Sequence, residues 1–280
     1  MEKRDTPQPL VSPRFIDAAG HRTLYRELGA GEPVVLLHGS GPGVSGWANW
    51  SRIAPVLADG FRVLVPDIAG FGDTLARPGE RYGIKLWVAH LLGFLDALGI
   101  QRAHLVGNSF GGALAIGVAT AAAHRVQSLV LMGTPAGEFP LSEGLRAGWF
   151  YEPGIEAMAS LLRLFPYDQS LVTSDMVDER YVASARPGAQ DAFRALIPQP
   201  STQAGATVKG FPPATLSTIA QPTLVLHGRD DRVVPADCGL LIHRCVPRSD
   251  LHMFGQCGHW VQLERETAFL ALVRRHLAEA

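Results

Sequence analysis

Apolar and polar positions along the chain switch between a period of two and a period near 3.6, and the order of those switches predicts alternating strands and helices. Residues 14–18 and 22–27 read as a hairpin, 34–37 as a strand, 49–58 as a helix and 61–65 as a further strand. From 84 to 98 the apolar residues recur at helical spacing, with Leu91, Leu95 and Leu98 among them and Gly99 as the stop. Residues 103–106 and 126–132 are nearly continuous apolar runs, the pattern of strands buried on both faces of a parallel sheet. A small-residue helix is predicted over 113–123, strands over 222–227 and 250–254, and a closing helix over 265–278.

The pattern changes between 141 and about 207, where no strand-like run occurs and helical stretches stand out at 155–165 and 175–184. This predicts an α/β core interrupted by a helical lid: residues 1–136 form the first part of the core, 137–207 the lid and 208–280 the second part. The Pro- and Gly-rich stretch 198–205 is read as the return to the core. No internal repeat or low-complexity tract is present.

With 280 residues, 47% of them hydrophobic, the chain can bury a large core and still carry an insertion. Lysine plus arginine at 25 against aspartate plus glutamate at 26 leaves a net charge of -1, so neither a nucleic acid nor a membrane surface is an expected partner. No run is long enough to span a bilayer, and residues 1–9 lack the apolar stretch of a signal peptide. Cys238, Cys245 and Cys257 have no Cys-x-x-Cys spacing and read as reduced thiols, which points to the cytoplasm.

The chemistry begins at Gly107-Asn108-Ser109-Phe110-Gly111, a Gly-x-Ser-x-Gly turn between the strand at 103–106 and the small-residue helix. Such an elbow lifts a serine hydroxyl clear of the sheet edge. A nucleophilic serine needs a base and the base needs an orienting acid. Both follow in the chain order Ser, Asp, His, each after a strand: Asp230 and Asp231 after 222–227, and His259 after 250–254. That order is the one found in α/β-hydrolases. Of the two acids Asp231 is chosen, because it lies four residues before Pro235 as in an Asp-x-x-Val-Pro loop. Singly, these residues have plainer readings as a turn serine, a loop cap and a surface histidine; it is their joint order and context that makes Ser109, Asp231 and His259 a triad.

The glycine-rich loop His38-Gly39-Ser40-Gly41-Pro42-Gly43 follows the strand at 34–37, where this fold provides one oxyanion-hole N–H. Ser40 is assigned that donor and Phe110, the residue after the nucleophile, the second. A rival reading takes residues 41–46 as a Gly-x-Gly-x-x-Gly dinucleotide fingerprint, with Asp67 about 20 residues downstream. Pro42 opposes it, since a phosphate cradle is built from backbone N–H groups and proline has none. Cys257, close to His259, is read as structural beside the serine elbow.

Five strings together carry a resemblance to a known family: residues 38–50, 107–112, 180–188, 227–235 and 258–264. The chain resembles the meta-cleavage product hydrolases, which split carbon-carbon bonds in ring-opened aromatic catabolites, and the likeness runs from about Arg14 to the last helix. Phe110 and the Arg180-Tyr-x-Ala-Ser string look most like the members of monocyclic pathways, of the 2-hydroxymuconic semialdehyde or cumene and toluene type. The resemblance implies an α/β-hydrolase fold with a mostly parallel eight-stranded sheet, a small-molecule 2-hydroxy-6-oxo-2,4-dienoate substrate, no metal or organic cofactor, and a homo-oligomer.

It also implies site residues. Arg180 and Asn49 would hold the substrate carboxylate, Asn108 and Trp260 would line the enol region, and Gly39 and Gly41 would border the substrate beside Ser40. Enol-to-keto tautomerisation would precede attack on the distal carbonyl, with Ser109 either forming an acyl-enzyme or assisting water. The products would be 2-hydroxypenta-2,4-dienoate and a carboxylic acid. A carboxylesterase with the same triad is the second reading and a non-enzymatic receptor the third. Residues 147–155 and the neighbourhood of Val233 are candidates for the distal pocket wall, and small C6 substituents are expected to be preferred.

Overall fold

The computed structural model describes residues 11–77, 79–196 and 205–280. A hairpin opens the fold: β1 (Arg14–Ala18) pairs antiparallel with β2 (His21–Leu28). Then come β3 (Pro33–Leu37), α1 (Gly46–Trp50), α2 (Ala54–Leu57), β4 (Arg62–Pro66), α3 (Ile84–Ala97), β5 (Ala103–Asn108), α4 (Phe110–Ala121) and β6 (Val126–Met132). A helical segment follows β6, with α5 (Glu143–Trp149), α6 (Ile155–Leu162), α7 (Ser174–Ser184) and α8 (Ala189–Leu196). It is flanked by β7 (Glu138–Pro140) and β8 (Thr207–Lys209). The chain ends with α9 (Pro213–Leu216), β9 (Thr223–Gly228), α10 (Ala236–Cys245), β10 (Ser249–Phe254), α11 (Val261–Glu264) and α12 (Glu266–Glu279).

Eight strands form one sheet in the order β1-β2-β4-β3-β5-β6-β9-β10, in which only β2 runs antiparallel to its neighbours. Every residue of β5 and β9 is buried, as central strands covered on both faces must be. One apolar cluster, with Leu91, Phe94 and Leu114, packs α3 and α4 on one face. A second, centred on Trp50, Phe269 and Val273, packs α1, α2 and α12 on the other. The fold is therefore a doubly covered α/β sheet, and the loops at the C-terminal ends of its parallel strands gather at one edge.

Two local expectations differ from the structure. The helix expected over 49–58 is two short helices, because Ser45 caps a start at Gly46 and Pro55 sits in the first turn of α2, where it starts a helix afresh. The strands β7 and β8 pair antiparallel across the ends of the helical segment. At three residues each they are too short to leave an alternation in the sequence. The stretch 198–204 lies outside the described residues, as do residues 1–10. Among the described residues no helix is long and apolar enough to cross a membrane.

Candidate active site

β5 ends at Asn108, and the chain turns into α4 through Ser109, which holds φ 53° and ψ −114°. A non-glycine residue in such a region is strained by roughly 1–3 kcal/mol. Its neighbours allow nothing larger than glycine: a Cβ on Gly107 would strike the backbone of Gly111 and Gly112, and one on Gly111 the carbonyl of Leu37. The Ser109 N–H donates to the Met132 carbonyl at 2.8 Å, tying the elbow to β6.

Asp231 follows β9 and is anchored by its own loop, with Oδ1 accepting from the N–H groups of Val233 (2.7 Å) and Val234 (2.9 Å). Its Oδ2 lies 2.7 Å from His259 Nδ1 and 3.4 Å from His227 Nε2. Burial pushes this carboxyl upward, but the His259 and His227 imidazoles beside it reverse the effect and hold it well below the usual carboxylate range. Asp230 instead pairs with the exposed Arg229 at 3.2 Å. With Nδ1 of His259 bound to Asp231, Nε2 is the nitrogen left for the serine, and among the described residues the Ser109 hydroxyl makes no hydrogen bond.

Ser109 and His259 border one small cavity. All six residues assigned to substrate contact line it as well: Gly39, Gly41, Asn49, Asn108, Arg180 and Trp260. So does Ser40. Phe110 does not; its ring packs on Trp87, with centroids 4.7 Å apart. As the first residue of α4, however, its N–H has no partner within the helix.

The electrostatics of this cavity are one-sided. Arg180 is partly accessible because it borders the cavity, but its guanidinium is surrounded by protein, and burial lowers its pKa to about 10. Among the described residues its guanidinium makes one hydrogen bond, a long one, from Nη1 to the Pro42 carbonyl at 3.4 Å, and no carboxylate pairs with it. Asn49 accepts the Gly39 N–H through Oδ1 at 3.2 Å, while its Nδ2 and that of Asn108 are buried donors without partners among the described residues. Each such donor costs roughly 1–3 kcal/mol unless a ligand accepts from it. A cation and two amide donors converging on one space suit an oxygen-rich anion.

A second small cavity shares Ser40, Gly41, Ser109, Phe165 and His259 with the first. Its remaining wall is apolar: Gly144, Leu145, Gly148 and Trp149 from α5, Phe193 from α8, and Val233. Ser109 thus stands between a polar and an apolar chamber. A larger groove lies across the 41–45 loop and touches neither Ser109 nor His259, so it is not where the chemistry sits.

The glycine-rich loop explains its own composition. Gly43, at φ +66°, lies against the backbone of Arg180 and Ser184, and the Gly46 N–H donates to Asp67 at 2.7 Å. These positions serve packing and an internal hydrogen bond, where a dinucleotide cradle would need them open toward phosphate.

Sequence reasoning missed Leu145, Phe165 and Phe193, and of the window 147–155 only Gly148 and Trp149 reach the cavities. Phe193 and Leu196, three apart and both buried, were a helical signal within α8 that passed unread. Phe165 sits in a loop and leaves no such pattern.

Residues 32–266 match the family model for the alpha/beta hydrolase fold. The chain is 47% identical over 265 residues to a 2-hydroxy-6-oxo-2,4-heptadienoate hydrolase of Pseudomonas putida, covering 95% of this chain and 96% of that relative. It is 45% identical over 269 residues to a 2-hydroxymuconate semialdehyde hydrolase of a Pseudomonas species, covering 95% and 94%. Among solved structures it is similar to a meta-cleavage product hydrolase from Pseudomonas fluorescens, crystallised as a serine-to-alanine variant with acetates. There the TM-score is 0.89 at 42% identity, covering 96% of this chain and 98% of the other.

Proposed function

The chain belongs to the meta-cleavage product hydrolases, within the α/β-hydrolase fold family, and we propose that its two chambers take the two ends of a 2-hydroxy-6-oxo-2,4-dienoate. It hydrolyses the C5–C6 bond of that substrate to 2-hydroxypenta-2,4-dienoate and a carboxylic acid. The observation that carries this reading is the enclosed guanidinium of Arg180, without a carboxylate partner among the described residues, in the same cavity as Ser109 and His259.

In this reading Arg180 and Asn49 hold the carboxylate, and Asn108 and Trp260 border the enol. Tautomerisation to the 2-keto form places a proton on C5 and makes the C1–C4 unit an electron sink. His259 then takes a proton from Ser109, or from water that Ser109 orients, as the C6 carbonyl is attacked. The N–H groups of Ser40 and Phe110 receive the developing oxyanion. The C5–C6 bond breaks with its electron pair delocalised into the C1–C4 unit, whose enolate oxygen receives a proton from His259, and C6 leaves as the acid, directly where water attacked or after a second water, activated by His259, hydrolyses the Ser109 acyl ester. Asp231 keeps the His259 imidazole in the tautomer this requires. Residues 137–207 act as a lid that supplies Arg180 from α7 and, from α5 and α8, part of the wall of the apolar chamber, whose size suits hydrogen or a small alkyl group at C6. The three thiols and the family resemblance support a homo-oligomer working in the cytoplasm.

A carboxylesterase would share the triad but has no use for Arg180. The deciding experiment follows loss of the yellow dienolate absorbance, identifies both products by mass, and runs p-nitrophenyl acetate beside it. Turnover of the ester with every dienoate left intact replaces this reading with the esterase.

A further inference from the structure

Glu264 has no part in the chemistry above, yet its carboxylate collects backbone N–H groups from two segments about ninety residues apart in the chain. Oε1 accepts from Gly258, the residue before His259, at 2.8 Å. Oε2 accepts from Tyr167 at 2.8 Å and Asp168 at 3.4 Å, in the turn between α6 and α7. The His259 N–H completes the link by donating to the Phe165 carbonyl at 2.7 Å. Packing leaves little slack, since a Cβ on Gly258 would strike that same carbonyl. The Phe165 ring stacks on Trp260 at 5.2 Å between centroids and 22° between planes, and lies 5.7 Å from the His259 ring. From the other side Arg265 donates through Nη2 to the carbonyls of Gly255 (2.9 Å) and Gln256 (2.6 Å).

The histidine loop is therefore gripped by two consecutive residues, a carboxylate on its N–H side and a guanidinium on its carbonyl side. Only a carboxylate suits the first role, because it offers acceptors and no donors to three converging N–H groups. A glutamine of the same shape would turn its own amide N–H toward at least one of them.

We propose that Glu264 is a positioning residue for the reaction, locking the His259 loop to the 165–168 turn so that the imidazole meets Ser109 only with the helical segment docked. The proposal rests on the reading of His259 as the base. A displacement of the order of 1 Å in a catalytic group is enough to lower turnover by about a hundredfold.

The test uses the full-length chain with Glu264→Gln and the shorter carboxylate Glu264→Asp, active sites counted with a fluorophosphonate probe. The expected result is a kcat per titrated site lower by roughly ten- to a hundredfold in Glu264→Gln, for dienoate and p-nitrophenyl acetate alike. The dienoate KM stays within about threefold, since Arg180 and the asparagines are untouched. Glu264→Asp shows the same split in milder form and supplies the measurement if the glutamine variant does not fold. Wild-type kcat per titrated site, or a rise confined to KM, overturns the proposal. Retained turnover in Ser109→Ala would instead overturn the triad reading on which it stands, so the two failures are separable.

Discussion

Gly43 and Arg180 meet backbone to backbone: the Cα of Gly43, at φ +66°, lies so close beneath the Arg180 carbonyl that any side chain there would collide with it. The loop bearing Ser40 and the helix bearing Arg180 are thus held at a fixed spacing. In the proposed reading that contact sets the distance between the reacting carbonyl and the far carboxylate of the substrate.

Arg180→Gln should lower kcat/KM for a dienoate by an amount equivalent to about 2–5 kcal/mol, the usual cost of truncating one partner of a buried charge pair. Hydrolysis of p-nitrophenyl acetate should be almost unchanged. Equal loss on both substrates would show that the arginine holds the fold of the site and not the substrate.

Ser109→Ala is expected to lose several powers of ten in cleavage while still binding substrate, since no member of the polar chamber depends on the hydroxyl. Asp231→Asn should be far more damaging than Asp230→Asn, because Asp231 alone of the two contacts His259. Single-turnover kinetics and substrate-binding spectra measure both, and equal effects from the two acids would contradict the geometry.

The apolar chamber makes a prediction about size. With Trp149, Phe193 and Val233 closing a small chamber, dienoates carrying hydrogen or methyl at C6 should give higher specificity constants than the 6-phenyl compound. Val233→Ala should narrow that gap by enlarging the wall nearest α5. A wild-type preference for phenyl would contradict the assignment of this chamber to the C6 substituent.

Acid stability follows from two buried histidines. Burial lowers His38 to about 4 and His90 to about 3. The Nε2 of His38 accepts the Ile68 N–H at 3.0 Å, which protonation would prevent. Both folded-state values lie below the unfolded value of about 6.5, so the unfolded chain binds protons first and stability falls once pH drops through 6.5. Between pH 7.5 and 5 each contributes a loss of about 2 kcal/mol. Asp67 works oppositely: burial raises it to about 6, and its protonation in the folded state returns about 1.4 kcal/mol over the same interval. Urea unfolding at the two pH values should show a net loss of about 2–3 kcal/mol. Equal stability at both would mean that these imidazoles are not held neutral.

The alternation of buried runs with helical periods was enough to determine a parallel α/β sheet, its hairpin edge and the interruption after β6, because burial on two faces demands continuous apolar strands. The order and loop context of Ser109, Asp231 and His259 were equally legible, since a strand-turn-helix elbow and strand-end loops are local features. What the sequence could not decide was anything resting on contacts between distant segments. Asp230 and Asp231 are neighbours of one type; the spacing to Pro235 favoured Asp231, but the contact itself exists only because the turn after Gly228 aims Asp231 at His259 and leaves Asp230 with Arg229. Phe165, in the loop after α6, and Phe193, in α8, become walls of the site only through contacts between segments distant in the chain. Glu264 was read only as part of a family string, because the backbone donors it accepts come together only in three dimensions, and a hydrogen bond to a main-chain N–H leaves no trace in the identity of its partner.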